Sequence, residues 1–139
     1  MNFDTTPDAL AARIDALPDD LPILIRAAGS VANKKQFAAY LVGGIVRDLL
    51  LGLPQDDVDI VIEGHAASVA RAMANRFGGH VLAHDRFGTA TWTLADSSFA
   101  GSVVAAVDFI TARRETYAHP GALPQIEPSA IDDDLRRRD

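Results

Sequence analysis

The chain has no cysteine, so disulfides and thiolate metal sites are excluded from the outset. It is also short of cations: 13 lysines and arginines stand against 19 aspartates and glutamates, a formal charge of −6. That is the wrong sign for a protein that grips a nucleic acid unaided, and acidic metal ligands explain only a few of the charges. No apolar run is long enough to span a bilayer, so no membrane partner is expected. The opening Met-Asn-Phe-Asp-Thr-Thr-Pro-Asp lacks the basic and then apolar pattern of a secretory signal, and a cytoplasmic protein is the expectation. His65, His80, His84 and His119 show no ligand spacing, which argues against zinc. Internal repeats and low-complexity tracts are absent too. What is present is 139 residues, 48% of them hydrophobic. That suffices for one domain with a core and is too short for two ordinary ones.

The richest stretch runs from Tyr40 to Glu63. Leu41 and Val42 form a short apolar strand that runs into Gly43-Gly44, where positive φ and close backbone approach are available. Ile45 to Leu51 keeps its apolar residues on one helical face, and Gly52 with Pro54 is a stop signal. Asp57 to Ile62 then alternates, with Asp57, Asp59 and Val61 on one face and Val58, Ile60 and Ile62 on the other. Two carboxylates therefore neighbour each other beyond a helix that opens at two glycines. The helix end suits a phosphate. The carboxylates suit a hard cation such as Mg²⁺, normally shared with substrate phosphates. Arg47, a cation in the first helical turn, opposes the macrodipole unless an acid or a bound anion pairs with it. A triphosphate with a divalent metal meets all three needs. Singly, each feature has a plain structural reading as a turn or a solvated strand edge.

The rest of the chain reads as helices and strands in a simple order. Thr6-Pro7 starts a helix carrying Leu10, Ile14 and Leu17 up to Pro18. Asp20 caps a second, weakened at Gly29-Ser30 and closed favourably by Lys34-Lys35. Ala66 to Phe77 is a strong helix ended by Gly78-Gly79. Strands follow at His80 to His84, Thr89 to Leu94 and Ser102 to Ile110, with Arg86-Phe87-Gly88 as a turn and 95–101 as a loop. Asp108 lies inside the last strand, between Val107 and Phe109. An acid there is costly unless it holds a metal or pairs with a cation such as Arg113. Asp56 is one residue out of register with the other two acids and should face away or lie in the turn. From Thr111 to Pro128 turn-formers dominate the second half, and the segment reads as a loop. Arg113 and Arg114 stand open between phosphate contacts and offsets for nearby acids. The close, Ile131-Asp-Asp-Asp-Leu-Arg-Arg-Arg-Asp139, has the charge order of a capped helix.

Taken together, Leu-Val-Gly-Gly-x-Val-Arg-Asp-x-Leu-Leu-Gly followed by Asp-x-Asp resembles the nucleotidyltransferase superfamily. It is most similar to the class II (bacterial-type) tRNA CCA-adding enzymes and the bacterial poly(A) polymerases. Two later segments add to the resemblance: Asp-Phe-x-x-x-Arg-x-Glu-x-Tyr from Asp108, and the Asp-Leu-x-Arg-Arg-Asp match at Asp134, Leu135, Arg137, Arg138 and Asp139. The resemblance covers about residues 21 to 139. It implies an α/β (α+β) head domain with a small curved mixed sheet of about five strands and helices on one side. Residues 1–36 would form a helical segment and 37–139 the catalytic core. It implies Asp57, Asp59 and Asp108 as a catalytic, metal-binding triad for Mg²⁺ or Mn²⁺. Gly43, Gly44, Arg47, Asp134, Arg137, Arg138 and Asp139 would hold the nucleotide. The implied activity is transfer of a nucleotide from CTP or ATP to the 3′-hydroxyl of tRNA or another RNA, by CCA, CC or A addition or by polyadenylation. The neck and the tRNA-binding body of such enzymes have no counterpart in this sequence, so RNA would be gripped by regions outside it. The alternative is a nucleotide-binding remnant or regulatory module without transferase activity.

Overall fold

The computed structural model describes residues 2–17, 20–53, 57–94 and 105–138. Pro18, Asp56, Asp139, the loop expected over 95–101 and the first residues of the expected fifth strand lie outside that set.

Two helices lead. Helix α1 (Pro7–Asp15) starts as expected, with the Thr6 hydroxyl accepting the Ala9 N–H at 3.4 Å. Helix α2 (Leu21–Lys34) runs straight through Gly29-Ser30. Its buried face of Leu24, Ala28, Val31 and Ala32 outweighs the roughly 1 kcal/mol that an interior glycine costs. Asp20 precedes it without a side-chain capping bond, contrary to the expected cap.

A five-stranded mixed sheet follows, built from β1 (Ala38–Val42), β2 (Val58–Glu63), β3 (His80–His84), β4 (Thr89–Thr93) and β5 (Ala106–Thr111) in the order β1-β2-β5-β4-β3. β2 and β5 are parallel and the other pairs antiparallel. α3 (Gly44–Leu51) links β1 to β2, and α4 (Ala66–Phe77) follows β2. α2 and α4 cover one face of the sheet. Ile60, Ile62, Val107, Phe109 and Trp92 meet Leu24, Val69 and Met73 there. Trp92 also satisfies its indole N–H on the Gly78 carbonyl at 2.8 Å, as a buried indole must. This layer is the main core, and each large side chain buried in it contributes about 1.5–3 kcal/mol.

The opposite face is covered only in part. The segment read as a loop contains a hairpin, β6 (Arg113–Thr116) paired with β7 (Gln125–Pro128), and the turn-formers between supply its bend. Helix α5 (Ile131–Arg137) packs against β6 and β2, where Ile131 joins a small cluster with Val42, Val61 and Ala112. Glu63 fixes its start, accepting the Ile131 N–H at 3.2 Å and the Tyr40 hydroxyl at 2.6 Å. α5 is thus the exception to helices lying on one side. The uncovered remainder of this face holds the acids. Among the described residues no helix is long and apolar enough to cross a membrane.

Candidate active site

Strand register builds the floor of the site. Asp59 of β2 lies directly beside Asp108 of β5, and Asp108 lies opposite Thr91 of β4. Because side chains alternate, all three share the face away from the main core. Thr91 donates its hydroxyl to Asp108 Oδ1 at 2.6 Å, which fixes that carboxylate. Asp59 has no such relief. Burial raises its carboxyl above the usual carboxylate range, the charges of Asp108 and Asp57 add to that, and Arg138 only partly opposes them. Neighbouring carboxylates with uncompensated charge are suited to a divalent cation.

Asp57 is not drawn into a closed triad. It is exposed, one residue before β2 begins, and its charge reaches Asp59 without its side chain joining the pair. Among the described residues no group of three His, Cys, Asp or Glu side chains is close enough to hold an ion. The expected three-carboxylate set is therefore, in this structure, a pair with a third acid nearby. The pair still fits the implied metal, because Mg²⁺ completes its oxygen shell with water and substrate phosphates.

Facing the pair across a cleft of about 390 Å³ stand Arg113, Arg137 and Arg138. Arg138 donates through Nε to Asp134 Oδ1 at 2.6 Å, and Arg137 Nη2 lies 3.5 Å from Asp134 Oδ2. The backbone N–H of Arg113 reaches the same Oδ2 at 3.0 Å. Asp134 has no exposed surface at all. Burial pulls its carboxyl up, but the Arg138 hydrogen bond, the Arg113 N–H and the two arginine charges outweigh that, and the net direction is down. The resemblance implied a direct nucleotide contact for Asp134; in this structure its contacts go instead to Arg113, Arg137 and Arg138. Arg114 points away into an exposed ion pair with Glu127, so of the two arginines left open only Arg113 lines the cleft.

Beside Arg138 a second cleft of about 820 Å³ opens over Gly43, Gly44, Arg47 and Leu135. Gly43 precedes α3 at φ 77°, in a region that side chains rarely adopt. A methyl group there would also sit 3.3 Å from Asp59 Oδ2, so the glycine lets the start of α3 approach the acids. Gly43, the residue before α3, has no side chain with which to cap the first-turn N–H groups. Arg47 pairs with the largely buried Asp48 at 2.9 Å, the acid that a cation at this helix end requires, and most of its side chain stays exposed.

This arrangement has known counterparts. Residues 39–139 match the poly A polymerase head domain. The chain belongs to that family. It is 45% identical over 123 residues to the A-adding tRNA nucleotidyltransferase of Halalkalibacterium halodurans, covering 88% of this chain and 27% of that protein. A solved CCA-adding enzyme, in its apo form II, superposes with a TM-score of 0.79 at 35% identity, over 100% of this chain and 31% of that one. A tRNA nucleotidyltransferase complexed with a primer tRNA and an incoming ATP analog gives a TM-score of 0.63 at 38% identity, over 81% and 28%. The head domain thus spans under a third of the relatives it matches, and those relatives are tRNA nucleotidyltransferases.

Two participants were given no role from the sequence. Thr91 becomes visible only once register sets it opposite Asp108. Glu115, which lies between Arg113 and Arg137, belongs to a strand read as loop. The burial of Asp134 did leave a signal: Ile131, Asp134, Leu135 and Arg138 recur at helical spacing, which puts one acid of three on the packed stripe.

Proposed function

We propose that this chain is the catalytic head of a template-independent RNA nucleotidyltransferase, adding a nucleotide from CTP or ATP to the 3′ end of a tRNA or another RNA. One observation carries the reading: Asp59 and Asp108, adjacent in register, face three arginines across a cleft that adjoins the N-terminus of α3. In the reaction the RNA 3′-oxygen bonds to the α-phosphorus while the bond to the β-phosphate bridge breaks, and pyrophosphate leaves.

The residues divide that work. Asp59 and Asp108, with Asp57 beside them, would hold Mg²⁺ or Mn²⁺. Such an ion would supply charge stabilisation at the reacting phosphate and favour the ionised 3′-hydroxyl. Gly43, Gly44 and the first turn of α3 take phosphate oxygens on backbone N–H groups. Arg47, Arg137 and Arg138 offset the phosphate charge, with Arg113 behind them; Asp139 keeps its implied nucleotide contact, and Asp134 acts through the arginines. Residues 37–139 form the core. The acidic balance gives this chain little grip of its own on an RNA backbone.

A second reading, nucleotide binding without transfer, draws on the position of Asp57 outside the carboxylate pair. A chimera separates the two. This chain replaces the corresponding segment of the Halalkalibacterium halodurans A-adding enzyme, and extension of a tRNA that lacks its terminal nucleotide is measured. The transferase reading expects extension, lost in Asp59→Ala. A chimera that binds ATP and tRNA yet never extends would hand the conclusion to the binding module.

A further inference from the structure

We infer that Glu115 positions Arg137 for the phosphates of the incoming nucleotide. The inference rests on the function proposed above and extends it to a residue behind the lining of the cleft. Glu115 stands on β6 with its side chain 12% exposed. Its Oε1 lies 3.0 Å from Arg113 Nη2 and 3.5 Å from Arg137 Nη1. Its Oε2 accepts the Tyr117 hydroxyl at 2.8 Å. Both oxygens are therefore engaged, and the carboxylate cannot turn without giving up a partner.

The two arginines it joins are held very differently. Arg113 is anchored independently, donating from Nη1 to the Phe87 carbonyl at 2.6 Å in the turn between β3 and β4. Among the described residues Arg137 has only long contacts, 3.5 Å to Glu115 and 3.5 Å to Asp134, and its buried Nε, like that of Arg113, finds no hydrogen-bond partner. Arg138, its neighbour, has the short 2.6 Å bond to Asp134. Arg137 is thus the wall arginine whose direction depends on its two acids together. Asp134 holds it from within α5, and Glu115 holds it from the hairpin. A ligand oxygen needs the guanidinium pre-aimed, because ordering a long side chain at the moment of binding costs affinity.

Simple charge counting makes the opposite prediction, which gives the test its edge. Arg113, Arg137 and Arg138 face Glu115 and Asp134, so the wall carries a small net positive charge. If Glu115 only neutralised arginines, removing its charge would tighten the binding of a polyanion. If it aims Arg137, removing its charge loosens that binding.

The experiment titrates MgATP, MgCTP, magnesium tripolyphosphate and adenosine into the 139-residue protein and its Glu115→Gln, Arg137→Ala and double variants. Loss of one charge-assisted contact predicts about tenfold weaker binding of all three phosphate ligands by Glu115→Gln. Adenosine binding should not change, and Glu115→Gln should add little in an Arg137→Ala background. Glu115→Asp, too short to span both arginines, should fall between wild type and Glu115→Gln. Tighter phosphate binding by Glu115→Gln, or full additivity with Arg137→Ala, overturns the inference and leaves the proposed function standing. An equal loss for adenosine marks a general structural lesion and overturns it as well. If wild type binds none of the phosphate ligands, the phosphate assignment itself fails and takes the inference with it.

Discussion

Asp59 and Asp134 are the same residue type on opposite sides of one cleft, and their surroundings drive them in opposite directions. Asp134 is wholly enclosed, yet two arginines and a backbone N–H hold its carboxyl below the ordinary range. Asp59 is partly exposed to solvent, yet burial and the neighbouring acids hold its carboxyl above that range. Burial alone therefore does not decide what an acid is for. Asp134 is an anchor whose charge is spent inside the fold. Asp59 keeps charge that the fold leaves uncompensated, which is the condition for attracting a cation.

The sharpest way to break this contrast is to remove the anchor. Asp134→Ala would leave Arg138 and the Arg113 N–H without their acid and Arg137 with Glu115 alone, and losing one partner of a buried ion pair costs about 3–5 kcal/mol. Urea unfolding at neutral pH should show that loss. The pH dependence follows from the lowered carboxyl: Asp134 stabilises the fold fully above the usual value of 3.8, and this contribution disappears as pH falls through the lower folded value. A variant as stable as wild type would mean that the arginine wall does not depend on Asp134.

The carboxylate side predicts a smaller effect on binding and almost none on folding. Thr91→Val keeps shape but removes the hydroxyl that fixes Asp108. Mn²⁺ affinity should drop by about tenfold, the lower end for losing a group that orients a metal ligand. Thermal unfolding of the metal-free protein should hardly move. Thr91→Ser should recover the affinity.

The mildest effect is a gain. Asp59→Asn removes a charge that the metal-free fold disfavours, so the variant should melt a few degrees higher at neutral pH. Here the sign is reversed from Asp134. The folded protein holds the Asp59 proton more tightly than the unfolded chain, so wild-type stability declines as pH rises from 3.8 through the raised folded value. The advantage of Asp59→Asn should shrink as pH is lowered through the same window. A variant that melts lower at neutral pH would show that Asp59 is an anchor after all.

Much of the fold was legible because local signals agreed with the final packing. The apolar stripe of Ala66–Phe77 and the alternation of Thr89–Thr93 describe one buried face each, and the structure uses both. The β6–β7 hairpin was not legible: its strands have four residues each, and β6 is mostly charged. What stabilises it is tertiary: the ion pair of Glu115 with Arg137 and the hydrogen bond from Arg113 to the Phe87 carbonyl. In the candidate site, the glycines, Arg47 and the acids at positions 57 and 59 stand out by spacing, and Asp108 by the resemblance. Their division into a registered pair and an outlier, and the inward turn of Asp134, depend on where β2 and α5 begin. Strand and helix boundaries carry the weakest sequence signal.

The parallel pairing of β2 with β5 has a further consequence, for the order in which the molecule comes into being. Helix α4 and strands β3 and β4 all lie between these two strands in sequence, while in space β5 separates β2 from β4. The short-range β3–β4 hairpin can assemble early, but closing the long chain loop between β2 and β5 costs entropy before any contact repays it. Asp59 and Asp108 therefore become neighbours only when the middle of the sheet zips shut. Their mutual repulsion is absent from the disordered chain and from partly built forms. It arises only once β2 and β5 pair, the same event that brings both acids within reach of one divalent ion.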